Sequence, residues 1–251
     1  MDALDATALE TQVREELSSF GIACTAEQAA ALVKHLLLVI EKNKVVNLTR
    51  ITDPVDAVTL HVVDSLLPLA CDAVRLVRSS WFVDMGTGAG FPGIPLGIMT
   101  GAHGLLVDSV NKKVAAVSEF VRKLGASSLH ATHARIEECV SICGERQDYV
   151  FARAVAQSNV LIEYATPLLK TGGCLILEKG RLTEEELSHA EAAACLCGLS
   201  LVSRETFELP RKLGHREILI YQRTGTARVK LPRKAGEAKR HPLGEETPAA
   251  R

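Results

Sequence analysis

The chain has 251 residues, 47% hydrophobic and 24% charged, with a formal net charge of −1. These values fit one large globular domain, or a domain with an extension, and carry no overall nucleic-acid signature. No apolar run approaches the ~20 residues of a membrane span, and Met1-Asp2-Ala3-Leu4-Asp5 lacks the basic and apolar regions of a signal peptide, so a cytoplasmic protein without membrane association is expected.

In chain order, Leu9, Val13, Leu17 and Phe20 recur at helical spacing over residues 6–20, with Gly21 as a stop. Thr25-x-x-Gln28 makes a capping box for a second helix, whose apolar face runs from Ala29 to Ile40. Asp53-Pro54 supplies a cap and first-turn proline for a third. Residues 43–50 between them read as a polar loop, and His61 and Asp64, three apart on a helix, as an ordinary surface pair.

The central stretch is Trp81-Phe82-Val83-Asp84-Met85-Gly86-Thr87-Gly88-Ala89-Gly90-Phe91-Pro92-Gly93. A short apolar strand ends in an acid, and a glycine turn leads into an apolar helix whose free N–H groups face the turn. Two templates fit. Gly88-x-Gly90-x-x-Gly93 with Asp108 satisfies the dinucleotide fingerprint. Asp84-x-Gly86-x-Gly88-x-Gly90 places an acid before the turn, as in the Rossmann-like S-adenosylmethionine methyltransferases. Asp84 would repel a pyrophosphate and attract a cationic sulfonium and ammonium, which favours the methyl donor.

Strand and helix signals then alternate. The spacing predicts helices over 93–100, 111–124, 159–170 and 183–197, the last with a capping box Thr183-x-x-Glu186. Strands are predicted at 104–108, 128–132, 148–151 and 174–177, with an antiparallel pair at 201–209 and 216–223. Repeated βα units imply a parallel sheet with ligands at the carboxyl ends of its strands, where Asp84, Asp108 and Arg153 converge. The seven cysteines form no CxxC pair, so no metal is expected. From Arg223 to Leu243, seven Lys and Arg face a single acid, Glu237. That basic tail reads as an irregular surface arm, dispensable for ligand binding, with a merely solvated tail as the alternative.

The run Asp84-Met-Gly-Thr-Gly-Ala-Gly-Phe-Pro-Gly-Ile-Pro-Leu96 resembles the glucose-inhibited division protein B family, the bacterial small-subunit ribosomal RNA methyltransferases G. Asn43-Lys44…Asn47-Leu48-Thr49, His61-Val-Val-Asp64-Ser65, Arg135-Ile136-Glu137-Glu138, Arg153-Ala154-Val155-Ala156 and Leu177-Glu178-Lys179-Gly180 agree in the same order. The resemblance implies an α/β, Rossmann-like S-adenosylmethionine-dependent methyltransferase fold, with a mainly parallel seven-stranded sheet and an N-terminal helical extension. The expected divisions are 1–78 for the extension, 79–223 for the catalytic domain and 224–251 for the tail. The implied activity is methylation of a guanine N7 in 16S rRNA near the decoding region, with naked rRNA or the small ribosomal subunit as partner and the enzyme a monomer. Asp84, Gly86, Gly88, Gly90, Phe91, Asp108, Ile136, Glu137 and Arg153 are the expected cofactor residues. Lys179, His215, Arg216, Arg233 and Lys234 are the candidate RNA contacts, and Phe91 is the best-placed aromatic for stacking on a base. No catalytic acid or base is assigned. A nicotinamide-dependent oxidoreductase and a non-catalytic RNA-binding or ribosome assembly factor are the alternatives.

Overall fold

The computed structural model describes residues 6–144, 147–153 and 155–245. The N-terminal pentapeptide, Ala154 of the Arg153 motif and the tail beyond Glu245 lie outside the described residues.

Helices α1 (Ala6–Ser19) and α2 (Ala26–Asn43) come first. The α2 capping box is complete: Thr25 Oγ1 accepts from Gln28 N at 3.2 Å, and Gln28 Oε1 accepts from Thr25 N at 2.9 Å. The short α3 (Pro54–Ala57) follows its Asp53 cap, then passes into a π-helical turn at Val58–Val63 and a 3₁₀ helix at Asp64–Ala70. The alternating region is β1 (Trp81–Met85), α4 (Gly93–Thr100), β2 (His103–Asp108), α5 (Asn111–Leu124), β3 (Leu129–His133), α6 (Cys139–Cys143), β4 (Gln147–Arg153), α7 (Ser158–Ala165), β5 (Leu169–Lys179), α8 (Glu184–Cys197), β6 (Leu199–Leu209), β7 (Gly214–Arg223) and α9 (Glu237–Arg240).

One seven-stranded sheet has the order β3-β2-β1-β4-β5-β7-β6. The first five strands run parallel, and β7 is antiparallel to both β5 and β6. Alternate side chains serve two apolar cores. Phe82, Phe151, Ile176 and Ile218 face a core that contains Leu17 of α1 and Leu36 of α2. Val83, Val150, Leu175 and Leu219 face the other, with α7 and α8. The N-terminal helices therefore have no separate core; they cover one face of the sheet.

Three local expectations are corrected. The helix expected to reach Lys170 stops at Ala165, because Pro167 has no N–H to extend the ladder, and Lys170–Gly173 belong to β5. Only half of the second capping box forms: Thr183 caps Glu186 N, while the Glu186 carboxylate turns to Ser158 and Lys179. His61 and Asp64 are buried and do not pair; each has partners from outside its own helix.

Candidate functional site

The turn after β1 is held by β2. Gly86 N and Thr87 N both donate to Val107 O at 2.9 Å. Asp108 spans the turn and the next loop, its Oδ2 accepting from Gly88 N at 3.1 Å and its Oδ1 from Val110 N at 2.8 Å. Gly86 has φ +77°, and a Cβ there would lie 2.8 Å from Val155 Cγ2. At Gly93 an added Cβ would meet Leu106 at 2.2 Å and Asp84 Oδ2 at 2.7 Å, so only glycine lets α4 start against the strands.

Asp84 is 0% exposed and lies beneath this turn. Its Oδ2 accepts from Gly93 N at 2.9 Å, so the acid caps α4. Burial pushes its carboxyl up to about 6 against the opposing pull of the Thr87 hydroxyl, the Gly93 N–H and Arg153. The expectation drawn from its charge placed Asp84 on the ligand; in the structure its contacts lie under the glycine turn, and the turn itself lines the cleft.

Two adjoining lobes open at the carboxyl ends of the strands and share Gly86 and Lys113. The larger, about 900 Å³, is walled by Asp108, Val110, Ile136, Glu137, Val155 and Tyr164. The other, about 520 Å³, has Gly88 and Phe91 on one side and Leu48, Thr49 and Leu60 of the N-terminal region on the other. Asp108, Ile136 and Glu137 thus come together in the first lobe, and Gly88, Phe91 and Arg153 in the second. Gly90 does not line the cleft; a Cβ there would touch Ile94 at 2.6 Å, so its part is to tighten the turn.

Phe91 is 5% exposed. Its ring stacks on His61 at 4.9 Å and packs on His35 at 4.6 Å, with the Arg153 guanidinium 5.6 Å from its centroid. Both histidines are driven neutral by burial, His35 down to about 4 and His61 down to about 3. His35 Nε2 donates to Ala89 O at 3.0 Å and so ties α2 to the glycine turn. With these neighbours Phe91 supports the turn, and the expectation of a stacking platform for a base is corrected.

Arg153 leaves the end of β4 to donate to Asp64 Oδ2 and Leu60 O, each at 3.1 Å. Arg216 Nε donates to Asp64 Oδ1 at 2.8 Å. Asp64, 4% exposed, thereby joins β4 and β7 to the N-terminal helices. The loop read as merely polar is also built: Asn43 Oδ1 accepts from Leu48 N at 2.8 Å and Thr49 N at 2.9 Å, and Thr49 Oγ1 contacts His61 Nε2 at 2.8 Å. Spacing alone gave no role to His35, Thr49, His61, Asp64 or Glu178. The signal for most of them was present as apolar helices carrying isolated polar residues.

Most expected RNA contacts have internal partners. Lys179 Nζ donates to Ala156 O and Glu186, Arg216 holds Asp64, and His215 Nδ1 lies 2.6 Å from Glu208. Arg233 Nε donates to the buried Glu163 at 2.8 Å, whereas Lys234 is exposed. The tail is irregular but docked, which corrects the expected surface arm. Gly236 N donates to Glu137 Oε1 at 3.0 Å, Asn159 Nδ2 donates to Leu243 O at 3.1 Å, and Ala238 is buried. Gly236 and Lys239 line the larger lobe, so the tail forms part of its wall.

A model of the rRNA small subunit methyltransferase G family matches residues 28–214. The chain is 32% identical over 234 residues to the ribosomal RNA small subunit methyltransferase G of Alkaliphilus metalliredigens, covering 92% of this chain and 97% of the relative. It is 39% identical over 215 residues to that of Synechococcus sp. strain JA-3-3Ab, covering 83% of each. Among solved structures, Aeropyrum pernix fibrillarin with natively bound S-adenosyl-L-methionine aligns with a TM-score of 0.51 at 12% identity, covering 63% of this chain and 73% of that one. Methanococcus jannaschii fibrillarin, a pre-rRNA processing protein, aligns at 0.50 with 14% identity, covering 61% and 70%. These structural matches establish the Rossmann-like fold, and on the sequence matches the chain belongs to the rRNA small subunit methyltransferase G family.

Proposed function

We propose that the two-lobed cleft carries out S-adenosylmethionine-dependent methylation of a guanine N7 in 16S rRNA, near the decoding region. The observation that carries the reading is the shared position of Gly86, at the junction of a lobe walled by Asp108, Ile136 and Glu137 and a lobe walled by Leu48, Thr49 and Leu60. The first lobe suits a nucleoside. The Asp108 carboxylate retains lone pairs for ribose hydroxyls beyond the two N–H groups it already accepts, and Ile136 and Glu137 offer an apolar surface and an acceptor to a purine. Bound there, S-adenosylmethionine supplies an electrophilic methyl group on a sulfonium. Guanine N7 carries an exposed lone pair and no proton, so its attack requires no general base. The protein's task is alignment, and the second lobe provides it between the carboxyl ends of the central strands and the N-terminal region.

Asp84 and Gly90 act by shaping the turn, and Arg153 acts through Asp64 on the wall of the second lobe. Lys234, like Arg228, Lys230, Lys239 and Arg240 of the described tail, is exposed and available to RNA phosphate. We read the chain as extension, catalytic domain and docked tail, divided at residues 78 and 223, and as a cytoplasmic monomer acting on rRNA or the small subunit. The test is titration with S-adenosylmethionine and with NAD, followed by transfer of a labelled methyl group to small-subunit RNA and nucleoside analysis. Binding of the methyl donor and recovery of 7-methylguanosine are expected. Preferential NAD binding, or donor binding with no methyl transfer, would point to one of the two alternatives.

A further inference from the structure

Among the described residues, five acids wall the two lobes. Four are committed. Asp64 is held by Arg153 and Arg216, Asp108 by Gly88 N and Val110 N, Glu137 by Gly236 N and the Tyr164 hydroxyl, and Glu138 by Arg135 N. Glu178 differs. It stands near the end of β5 in the wall of the lobe assigned to the target base, is 3% exposed, and neither carboxyl oxygen has a hydrogen-bond partner among the described residues. Arg153 is directly opposite it on β4, yet gives its guanidinium to Asp64 and Leu60 O. Its other cross-strand neighbour, Ile218 of β7, offers no polar side chain.

A buried acid with two idle oxygens is costly, and the apolar neighbours gain nothing from it. Burial holds the carboxyl well above the ordinary range, with Asp64 and Asp84 adding to the rise and Arg153 and Arg216 opposing it. Among these protein neighbours the protonated form is favoured over what an exposed carboxyl would show. Two N–H donors side by side would convert it to a carboxylate with both oxygens satisfied. The Watson–Crick edge of guanine presents that pair, N1–H and the 2-amino group; adenine presents an acceptor at N1. A base taken out of its stack is commonly read on this edge.

We propose that Glu178 is the guanine-reading residue of this cleft, its two oxygens accepting the N1–H and 2-amino N–H of the target base. The inference rests on the guanine-N7 reading above. It adds an electrostatic consequence: positive charge that develops on the purine as N7 is methylated falls on a base already hydrogen-bonded to an anion.

The test compares the full chain with Glu178→Gln and Glu178→Leu, on small-subunit RNA carrying guanosine or inosine at the target position. Inosine keeps N7 and N1–H and lacks only the 2-amino group. Because glutamine has the shape of the acid and no protein donor is lost with it, Glu178→Gln should fold with an unchanged thermal midpoint. The wild-type chain should prefer guanosine by about 10- to 100-fold in kcat/KM, the worth of one hydrogen bond to a charged group. In Glu178→Leu the preference should fall to within about threefold through loss of the guanosine rate, with the inosine rate changing less, and S-adenosylmethionine affinity should be unaltered. An equal guanosine preference in all three proteins would overturn the assignment, as would a wild type indifferent to the 2-amino group. Weakened S-adenosylmethionine binding in both variants would place the carboxyl on the methyl donor instead. Absence of any methyl transfer by the wild type would remove the guanine-N7 reading itself.

Discussion

Single residues set the shape of the cleft. Gly88 has φ +59°, an added Cβ would meet only Gly86 O at 3.9 Å, and its N–H holds Asp108 of the first lobe, so Gly88→Val strains the turn and disturbs Asp108 without a clash inside the fold. The expected outcome is calorimetric loss of S-adenosylmethionine binding with a retained cooperative unfolding transition; unchanged affinity would mean that the cofactor lies elsewhere. The buried histidines give a pH prediction. A base whose folded pKa lies below its unfolded value near 6.5 stabilises the fold fully above 6.5 and loses that contribution as pH falls. His35, at about 4, therefore lowers stability between pH 6.5 and 4. Each tenfold loss of proton affinity on folding is worth about 1.4 kcal/mol. Asp84, raised to about 6, acts in the opposite sense, its ionisation costing stability as pH rises from about 4 to 6. In His35→Gln the amide can still donate to Ala89 O, and the urea-unfolding stability should lose the His35 share of its acid slope, the His61 share remaining. A slope identical to wild type would show that His35 is not the group responsible.

At the scale of elements, the Asp64 carboxylate is the joint between the helical extension and the sheet. Asp64→Ala leaves Arg153 and Arg216 without their shared acid and should cost about 3 kcal/mol in urea unfolding, with S-adenosylmethionine turnover reduced as Arg153 is released. A loss below about 0.5 kcal/mol would show that the two ion pairs are as weak as exposed ones. Much of this architecture was legible from sequence. Strands and helices announced themselves through period and through Thr25, Asp53 and Thr183, and the acid–glycine turn stood out because a strand end followed by glycines has few other uses. Asp64 was not legible: its partners lie 89 and 152 residues away, so the local three-residue spacing suggested His61 instead. The overrun of α7 past Pro167 came from weighting Gly172-Gly173 as a stop above the missing proline N–H. Phe91 looked like a platform because the histidines covering its faces come from α2 and the π-helical turn.

At the scale of the whole molecule, a basic run in sequence did not show which of its residues are committed to partners within the fold. The tail is strongly basic, yet Arg233 is spent on Glu163, 70 residues away, and Gly236 on Glu137, 99 residues away. Such pairings leave no trace in local composition. The tail consequently belongs to the wall of the larger lobe, and with the cofactor placed there as proposed, a chain ended after Arg223 should bind S-adenosylmethionine about tenfold more weakly, the worth of the lost hydrogen bond to Glu137. Equal affinity in the two proteins would return the tail to the role of a surface arm. The central claim is the product of the reaction. 16S rRNA from a strain lacking this gene, incubated with the purified protein and S-adenosylmethionine and then cleaved by chemistry specific for 7-methylguanine, should break at one guanine near the decoding region. An uncleaved RNA that has nevertheless taken up the methyl group at another atom would contradict the account.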